Sequence, residues 1–197
     1  MTRPASPAGW RLFVALLPSS DAIADLDAAV APLRDSWQTL RWTSPRLWHL
    51  TAAFFGDVPE NHAPELSNRL ARAAARHQAV TLRFAGGGGF SQSARASIVY
   101  AGVDGPVPQL SALAESCSAA GRRVGLAMEP RAFRPHLTLA RVKGRAPLDV
   151  RPIVARLDGY AGPPWTSSEI VLMRSHLGPQ PRHEPIGRWP LGARHQA

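Results

Sequence analysis

Cysteine is nearly absent from this chain of 197 residues: Cys117 is the only one. A single cysteine excludes an intramolecular disulfide and any zinc cluster built from cysteines, and its place on an apolar helix face indicates a core residue.

Long apolar runs are missing as well. The longest run near the start, Leu12 to Leu17, is shorter than the core of a secretory signal and much shorter than a membrane span. We therefore expect a cytoplasmic protein with no membrane partner.

Several catalytic signatures are also missing. The sequence has no His-x-His, no His-Glu-x-x-His and no carboxylate cluster beside a histidine, so it predicts no metal site. It has no Gly-x-Ser-x-Gly elbow for a Ser-His-Asp hydrolase. The glycine run at 86–89 is not followed by Gly-Lys-Ser/Thr, so it is not a P-loop, and we interpret it as a flexible turn.

Lysine is as scarce as cysteine. Lys143 is the only lysine, so almost all of the positive charge behind the net charge of +9 is arginine. The planar fork of arginine matches pairs of phosphate oxygens, which favours an anionic partner. A GC-rich coding bias produces the same excess of arginine, alanine and proline, so charge alone does not identify nucleic acid as that partner.

The order strand, helix, strand occurs twice along the chain. Ala15 in the first strand precedes His49 by 34 residues, and Ala101 in the later one precedes His136 by 35 residues. Duplication explains this recurrence economically. We predict two copies of one unit, near 11–56 and 97–142, in a single bilobal domain spanning 9–192, with flexible termini at 1–8 and 193–197.

Periodicity and turn residues predict the individual elements. In the first copy these are a strand at 11–17, a helix at 21–34 capped by Ser20, and a strand at 47–55 closed by Gly56. In the second copy they are a strand at 97–103, a helix at 108–120, and a strand at 136–142 closed by Gly144. Outside the copies we predict helices at 60–77 and 148–157 and strands at Val80–Phe84, 168–173 and 186–191, with loops at 143–148 and 178–186. The predicted fold class is α+β, with two antiparallel sheets.

Each predicted copy contains a His-x-Thr motif in its second strand, formed by His49 and Thr51 and by His136 and Thr138. Side chains alternate along a strand, so histidine and threonine share one face while the leucine between them points into the core. A pseudo-two-fold axis would make the two pairs face each other across a cleft. One His-x-Thr is common by chance, whereas two at matching positions indicate a site.

Two facing histidines suit the hydrolysis of a cyclic phosphodiester. Such a reaction needs a base to take a proton from water and an acid to protonate the leaving ribose oxygen, and histidine serves in either role near neutral pH. Threonine hydroxyls and an arginine can stabilise the charge on the phosphate oxygens. Arg141 is the candidate arginine. It lies five residues after His136, so strand parity places it on the opposite face unless it reaches the site from the strand end or past a bulge.

The two motifs with their flanks, HLTAAFFG at 49–56 and HLTLAR at 136–141, resemble the paired signatures of the 2H phosphoesterase superfamily. Within it, the chain is most similar to the RNA 2′,3′-cyclic phosphodiesterase family, also called 2′-5′ RNA ligase. The resemblance covers nearly the whole chain, including RLFVALLP at 11–18, RW at 41–42, GGGGF at 86–90, FRPHLTLAR at 133–141 and PIGRWPL at 185–191. It implies a bilobal pseudo-two-fold fold with helices outside, both motifs lining a central groove, and neither metal nor cofactor.

The resemblance also implies a role for each site residue. His49 matches the general acid acting on the 3′-oxygen, and His136 matches the general base acting on water. The residues expected to hold phosphate are Thr51, Thr138 and Arg141, and Phe54 matches an aromatic that stacks on the terminal base. The chain departs from the family pattern at Ala52 and Phe55, where leucine is usual, and at His183, where an aromatic is often found.

The activity implied is metal-independent hydrolysis of RNA 2′,3′-cyclic phosphate ends to 2′-phosphomonoesters by a monomer. Two alternatives stay open on the sequence. One is a related activity with the same histidines, on 2′-5′ oligoadenylates, on an ADP-ribose cyclic phosphate, or in 2′-5′ RNA ligation. The other is a non-catalytic RNA- or nucleotide-binding module, whose salt-sensitive binding would survive removal of both histidines.

Overall fold

A computed structural model describes residues 9–130, 132–144 and 146–192. The predicted flexible termini at 1–8 and 193–197 lie outside the described residues. The helices are α1 (Ser20–Ser36), α2 (Ala63–Ala74), α3 (Val107–Arg123) and α4 (Arg151–Leu157). The strands are β1 (Gly9–Leu16), β2 (Leu40–Trp42), β3 (Leu50–Pro59), β4 (Val80–Phe90), β5 (Ile98–Asp104), β6 (His136–Val142), β7 (Trp165–Ser167), β8 (Glu169–His176) and β9 (Arg182–Pro190). None of the described helices has both the length and the apolar character needed to cross a membrane.

The strands form two antiparallel sheets, which confirms the predicted α+β class. One sheet has the order β3-β1-β8-β9 and the other the order β2-β6-β5-β4-β7. In each sheet the strand of the His-x-Thr motif pairs with the first strand of the same predicted copy. Strand β3, which follows His49, pairs with β1, and β6, which begins at His136, pairs with β5. The duplication itself stays a prediction.

Helix α1 shows how local sequence sets the boundaries of an element. Its N-cap is Ser19 rather than the predicted Ser20, because Ser19 has an extended backbone and its hydroxyl accepts a hydrogen bond from the amide of Ala22 at 3.2 Å. Leu26 and Val30 lie on its buried face. Cys117, on α3, is fully buried in the same core, as predicted.

The predicted flexible turn at 86–89 is wrong. Strand β4 runs from Val80 to Phe90 with a register shift between Phe84 and Gly87, and Gly87, Gly88 and Gly89 pair with β5. A Cβ atom at Gly88 would overlap the hydroxyl of Tyr100, and one at Gly89 would lie 2.8 Å from the Cβ of Ala96. These glycines therefore allow close packing inside a sheet.

Other boundaries also differ from the prediction. Gly56 does not close β3, which continues to Pro59. The glycine has a positive φ of 69° and lies at a register shift opposite Leu12 and Phe13, so it bends the strand without ending it. Strand β8 continues to His176, beyond its predicted end at 173, and β9 begins at Arg182, inside the loop predicted at 178–186. Most of β9 is exposed or half-buried, so its sequence lacks the apolar alternation that marks a strand.

We expect Gly88→Ala to destabilise the protein by about 1–3 kcal/mol, because the added methyl group overpacks a buried ring. Urea unfolding measures this change. Thr81→Ser is the matched control, since it changes an exposed side chain of the same strand, keeps the hydroxyl that bonds to Thr166 and should cost less than about 0.5 kcal/mol. Equal stability of Gly88→Ala and the unmodified protein would contradict the packing role of the glycine run.

Candidate functional site

A groove with a volume of about 1310 Å³ is lined by residues of both sheets. All six residues singled out in the sequence line it: His49, Thr51, Phe54, His136, Thr138 and Arg141. The motif strands β3 and β6 also contact each other. The fold therefore brings both His-x-Thr pairs, which are more than eighty residues apart in the chain, to one place.

Each motif strand has a bulge directly after its threonine. On β3 the extra residue is Ala52, since Thr51 and Ala53 pair with the neighbouring residues Ala15 and Val14. On β6 the extra residue is Leu139, because Thr138 and Ala140 pair with Tyr100 and Val99. A bulge adds one residue to one strand and so reverses the alternation of faces beyond it.

The bulges determine which side chains reach the groove. Phe54 and Arg141 are each five residues from their motif histidine, so regular alternation would turn both towards the core. The bulges return both to the groove face, where they are exposed. The expected conflict between strand parity and a phosphate-binding role for Arg141 is therefore absent from this structure.

Both motif histidines make the same local hydrogen bond. Nδ1 of His49 lies 2.7 Å from the carbonyl oxygen of Leu47, and Nδ1 of His136 lies 2.8 Å from that of Arg134. A carbonyl oxygen only accepts hydrogen bonds, so Nδ1 of each ring carries the proton and donates it. When either ring is neutral, its Nε2 therefore has a free lone pair.

Aromatic rings enclose His49. Its ring centroid lies 4.7 Å from that of Phe13 and 5.2 Å from that of His183, which meets it edge-on at 89°. His183 itself lines the groove. The position that departs from the family pattern therefore still supplies an aromatic ring, although one that can titrate.

His136 has comparable neighbours in the other sheet. Phe90 meets its ring edge-on at 4.6 Å and 84°, and Tyr100 lies 5.7 Å away. The guanidinium of Arg134 covers both aromatic rings, at 5.7 Å and 5.3 Å. These contacts restrict the orientation of the imidazole.

Burial lowers the pKa of both motif histidines. The pKa of His49 falls from 6.5 to about 4, chiefly through desolvation and in smaller part through the nearby charges of His183 and His136. The pKa of His136 is also lowered, first by desolvation and then by Arg134 and Arg141. Both rings are therefore neutral in the free protein at pH 7.

Sequence reasoning missed four arginines that line the groove: Arg11, Arg41, Arg46 and Arg182. Arg11 lies over the ring of Phe54, 4.6 Å from its centroid. No aspartate or glutamate occurs among the described residues that line the groove. The groove is therefore strongly positive, which suits an anionic ligand. Two features of the sequence could have identified Arg11 and Arg41 as groove residues: the alternation of side chains along β1 and the RW string at 41–42.

Within residues 9–130, 132–144 and 146–192 there is no group of three or more His, Cys, Asp or Glu placed to hold a metal ion.

We predict that acid destabilises the protein partly through His49. Its pKa is about 4 in the folded protein and 6.5 in the unfolded chain, so between these values only the unfolded chain binds the proton. The stabilisation by the neutral ring is therefore present above pH 6.5 and is lost as the pH falls towards 4, with a total of about 3 kcal/mol.

The measurement is the free energy of unfolding in urea at pH 7 and pH 5, for the unmodified protein and for His49→Gln. The variant should show a smaller fall in stability between the two pH values. An NMR titration that finds His49 protonating near pH 6.5 would refute the prediction.

Residues 26–179 match the family model described as the 2′-5′ RNA ligase superfamily. Curated relatives named RNA 2′,3′-cyclic phosphodiesterase include one of Geobacillus stearothermophilus, 29% identical over 91% of this chain and 56% of the relative. Another, of Aeropyrum pernix, is 33% identical over 49% of this chain and 54% of the relative. A third, of Thermus thermophilus, is 29% identical over 94% of this chain and 92% of the relative. The chain thus matches little more than half the length of the first two relatives.

Solved structures with the same fold cover nearly all of the chain. A crystal structure of a Thermus thermophilus protein superposes with a TM-score of 0.73 and 25% identity, over 94% of this chain and all of that one. E. coli LigT in its apo form gives a TM-score of 0.71 and 23% identity, over 94% of this chain and 99% of LigT.

Proposed function

This chain belongs to the 2′-5′ RNA ligase superfamily, and on that basis we propose that it is an enzyme that hydrolyses RNA 2′,3′-cyclic phosphate ends to 2′-phosphomonoesters. The name shared by the curated relatives supports this reaction. The observation that carries the proposal is geometric. Two imidazoles, each hydrogen-bonded through Nδ1 to a backbone carbonyl, line one groove together with the threonines of their motifs, and no carboxylate is found among the described residues that line it.

In the proposed reaction, water attacks the phosphorus of the cyclic phosphate. Nε2 of His136 takes a proton from that water as the new P–O bond forms. The bond between phosphorus and the 3′-oxygen breaks, and Nε2 of His49 donates a proton to the 3′-oxygen. The products are a 2′-phosphomonoester and a free 3′-hydroxyl, and solvent restores the starting protonation of both rings.

The polar neighbours of the histidines stabilise the phosphate. The hydroxyls of Thr51 and Thr138 and the guanidinium of Arg141 donate hydrogen bonds to its non-bridging oxygens, where negative charge accumulates. Such donors are more effective in a partly buried groove than in water, because the local dielectric constant is lower.

Substrate binding prepares His49 to act as an acid. The ring is neutral in the free protein because its pKa is about 4. An anionic phosphate beside it favours the imidazolium, and an opposite charge at such a distance raises a histidine pKa by about 1–3 units. His136 needs no such change, because a base must be neutral before it takes a proton.

Phe54 provides a surface for the terminal base. Its ring is 46% exposed and lines the groove, with Arg11 against it. Unpaired RNA bases are commonly held by stacking on aromatic rings and on arginine.

We expect the purified protein to open the terminus of an RNA oligonucleotide that ends in a 2′,3′-cyclic phosphate, with EDTA present, and to leave a 2′-phosphate. His49→Gln and His136→Gln should each lower kcat by about 10²–10⁴-fold, because each removes a general acid or base. His77→Gln is the matched control, since His77 lies outside the groove and bonds to Ser116.

Product analysis by mass spectrometry and phosphatase sensitivity decides the outcome. A 3′-phosphate product, an intact cyclic end or full activity in both groove variants would refute the proposed function. RNA binding without turnover, unchanged when both histidines are replaced, would identify a binding module instead.

A further inference from the structure

Two arginines stand directly opposite each other on neighbouring strands of the groove. Arg41 of β2 is the register partner of Arg141 of β6. Both side chains are exposed and both line the groove, while Leu40, the neighbour of Arg41, points into the core. Like charges directly opposite each other on a sheet are destabilising.

No protein carboxylate relieves this repulsion among the residues that the structure describes. The ion pairs found there involve neither arginine. The pKa of Arg141 is lowered by desolvation and by the charge of Arg41. An anionic ligand would therefore gain from both guanidinium groups and would remove the repulsion between them.

The two arginines occupy different positions along the groove. The proposed function assigns Arg141 to the terminal cyclic phosphate. Strand order places β2 at the edge of its sheet, on the side of β6 away from β5, so Arg41 lies one strand further out than Arg141. Neighbouring strands are about 4.8 Å apart, and the long side chain of arginine adds further reach.

We propose that Arg41 binds the phosphodiester linking the last two nucleotides, so that the groove selects an RNA strand over a single cyclic nucleotide. This inference rests on the proposed function, since it takes the terminal phosphate to lie at Arg141. Arg46 and Arg182, which line the same groove, extend the positive surface available to the strand.

The test compares two substrates with the same terminal base: a short RNA oligonucleotide ending in a 2′,3′-cyclic phosphate, and the nucleoside 2′,3′-cyclic monophosphate. Arg41→Gln should lower kcat/KM on the oligonucleotide by about 10- to 100-fold, mainly through KM, because it removes a hydrogen bond between charged groups. On the mononucleotide the loss should be at most about threefold, since that substrate lacks the second phosphate.

Two further readouts separate binding from misfolding. The salt dependence of log(kcat/KM) on the oligonucleotide should become shallower by about 0.7 for each phosphate that the variant no longer neutralises. The Tm of Arg41→Gln should equal or exceed that of the unmodified protein, because one of two opposed charges is gone. Arg83→Gln is the matched control: it also removes one exposed arginine from the same sheet, but outside the groove.

Equal losses on both substrates would put Arg41 at the terminal phosphate, and no loss on either would make it a solvated side chain. Either result overturns the inference. An unmodified protein that turns over neither substrate would instead refute the proposed function.

Discussion

One extra residue in each motif strand determines the composition of the groove. Without the bulges at Ala52 and Leu139, the alternation of a regular strand would turn Phe54 and Arg141 into the core, where a charged guanidinium has no partner. With them, three side chains of each motif strand share the groove face. Because the bulge follows the threonine, it leaves the histidine and threonine aligned and changes only what lies beyond them.

The second constraint is the way the histidines are held. Each ring donates its Nδ1 hydrogen to the carbonyl oxygen two residues earlier, so the backbone that enters the strand also fixes the tautomer. Surrounding rings then restrict ring orientation, and desolvation keeps both imidazoles neutral. With no carboxylate lining the described part of the groove, its positive charge is left for a ligand.

The predictable part of the structure depended on periodicity and on the two motifs. Buried helices and strands such as α3 and β6 have strong apolar patterns, and their positions agreed with prediction to within a few residues. The prediction for the glycine run failed because side chains distant in sequence, such as that of Tyr100, pack against these glycines and leave no room for a Cβ atom. Local turn rules do not include such contacts. Strand β9 was shortened in the prediction because an exposed strand lacks apolar alternation.

The site was predictable in part, since a repeated His-x-Thr is visible in the sequence and the face it occupies follows from alternation along a strand. Arg41 was not identified, because its significance lies in the register between β2 and β6, and pairing register is a tertiary property. The bulges were equally hidden: Leu139 and Ala140 are two adjacent buried residues, which a sequence pattern does not distinguish from a fully buried strand.

The two motif strands have the same backbone pattern but carry different side chains. Each has a histidine, a threonine and a bulge, yet the next groove residue is Phe54 on one strand and Arg141 on the other. The edge-on ring is His183 beside His49 and Phe90 beside His136. A symmetric scaffold would hold a phosphate without distinguishing its two sides. Because one motif strand presents an aromatic ring and the other a guanidinium, the two sides of the groove differ in chemistry.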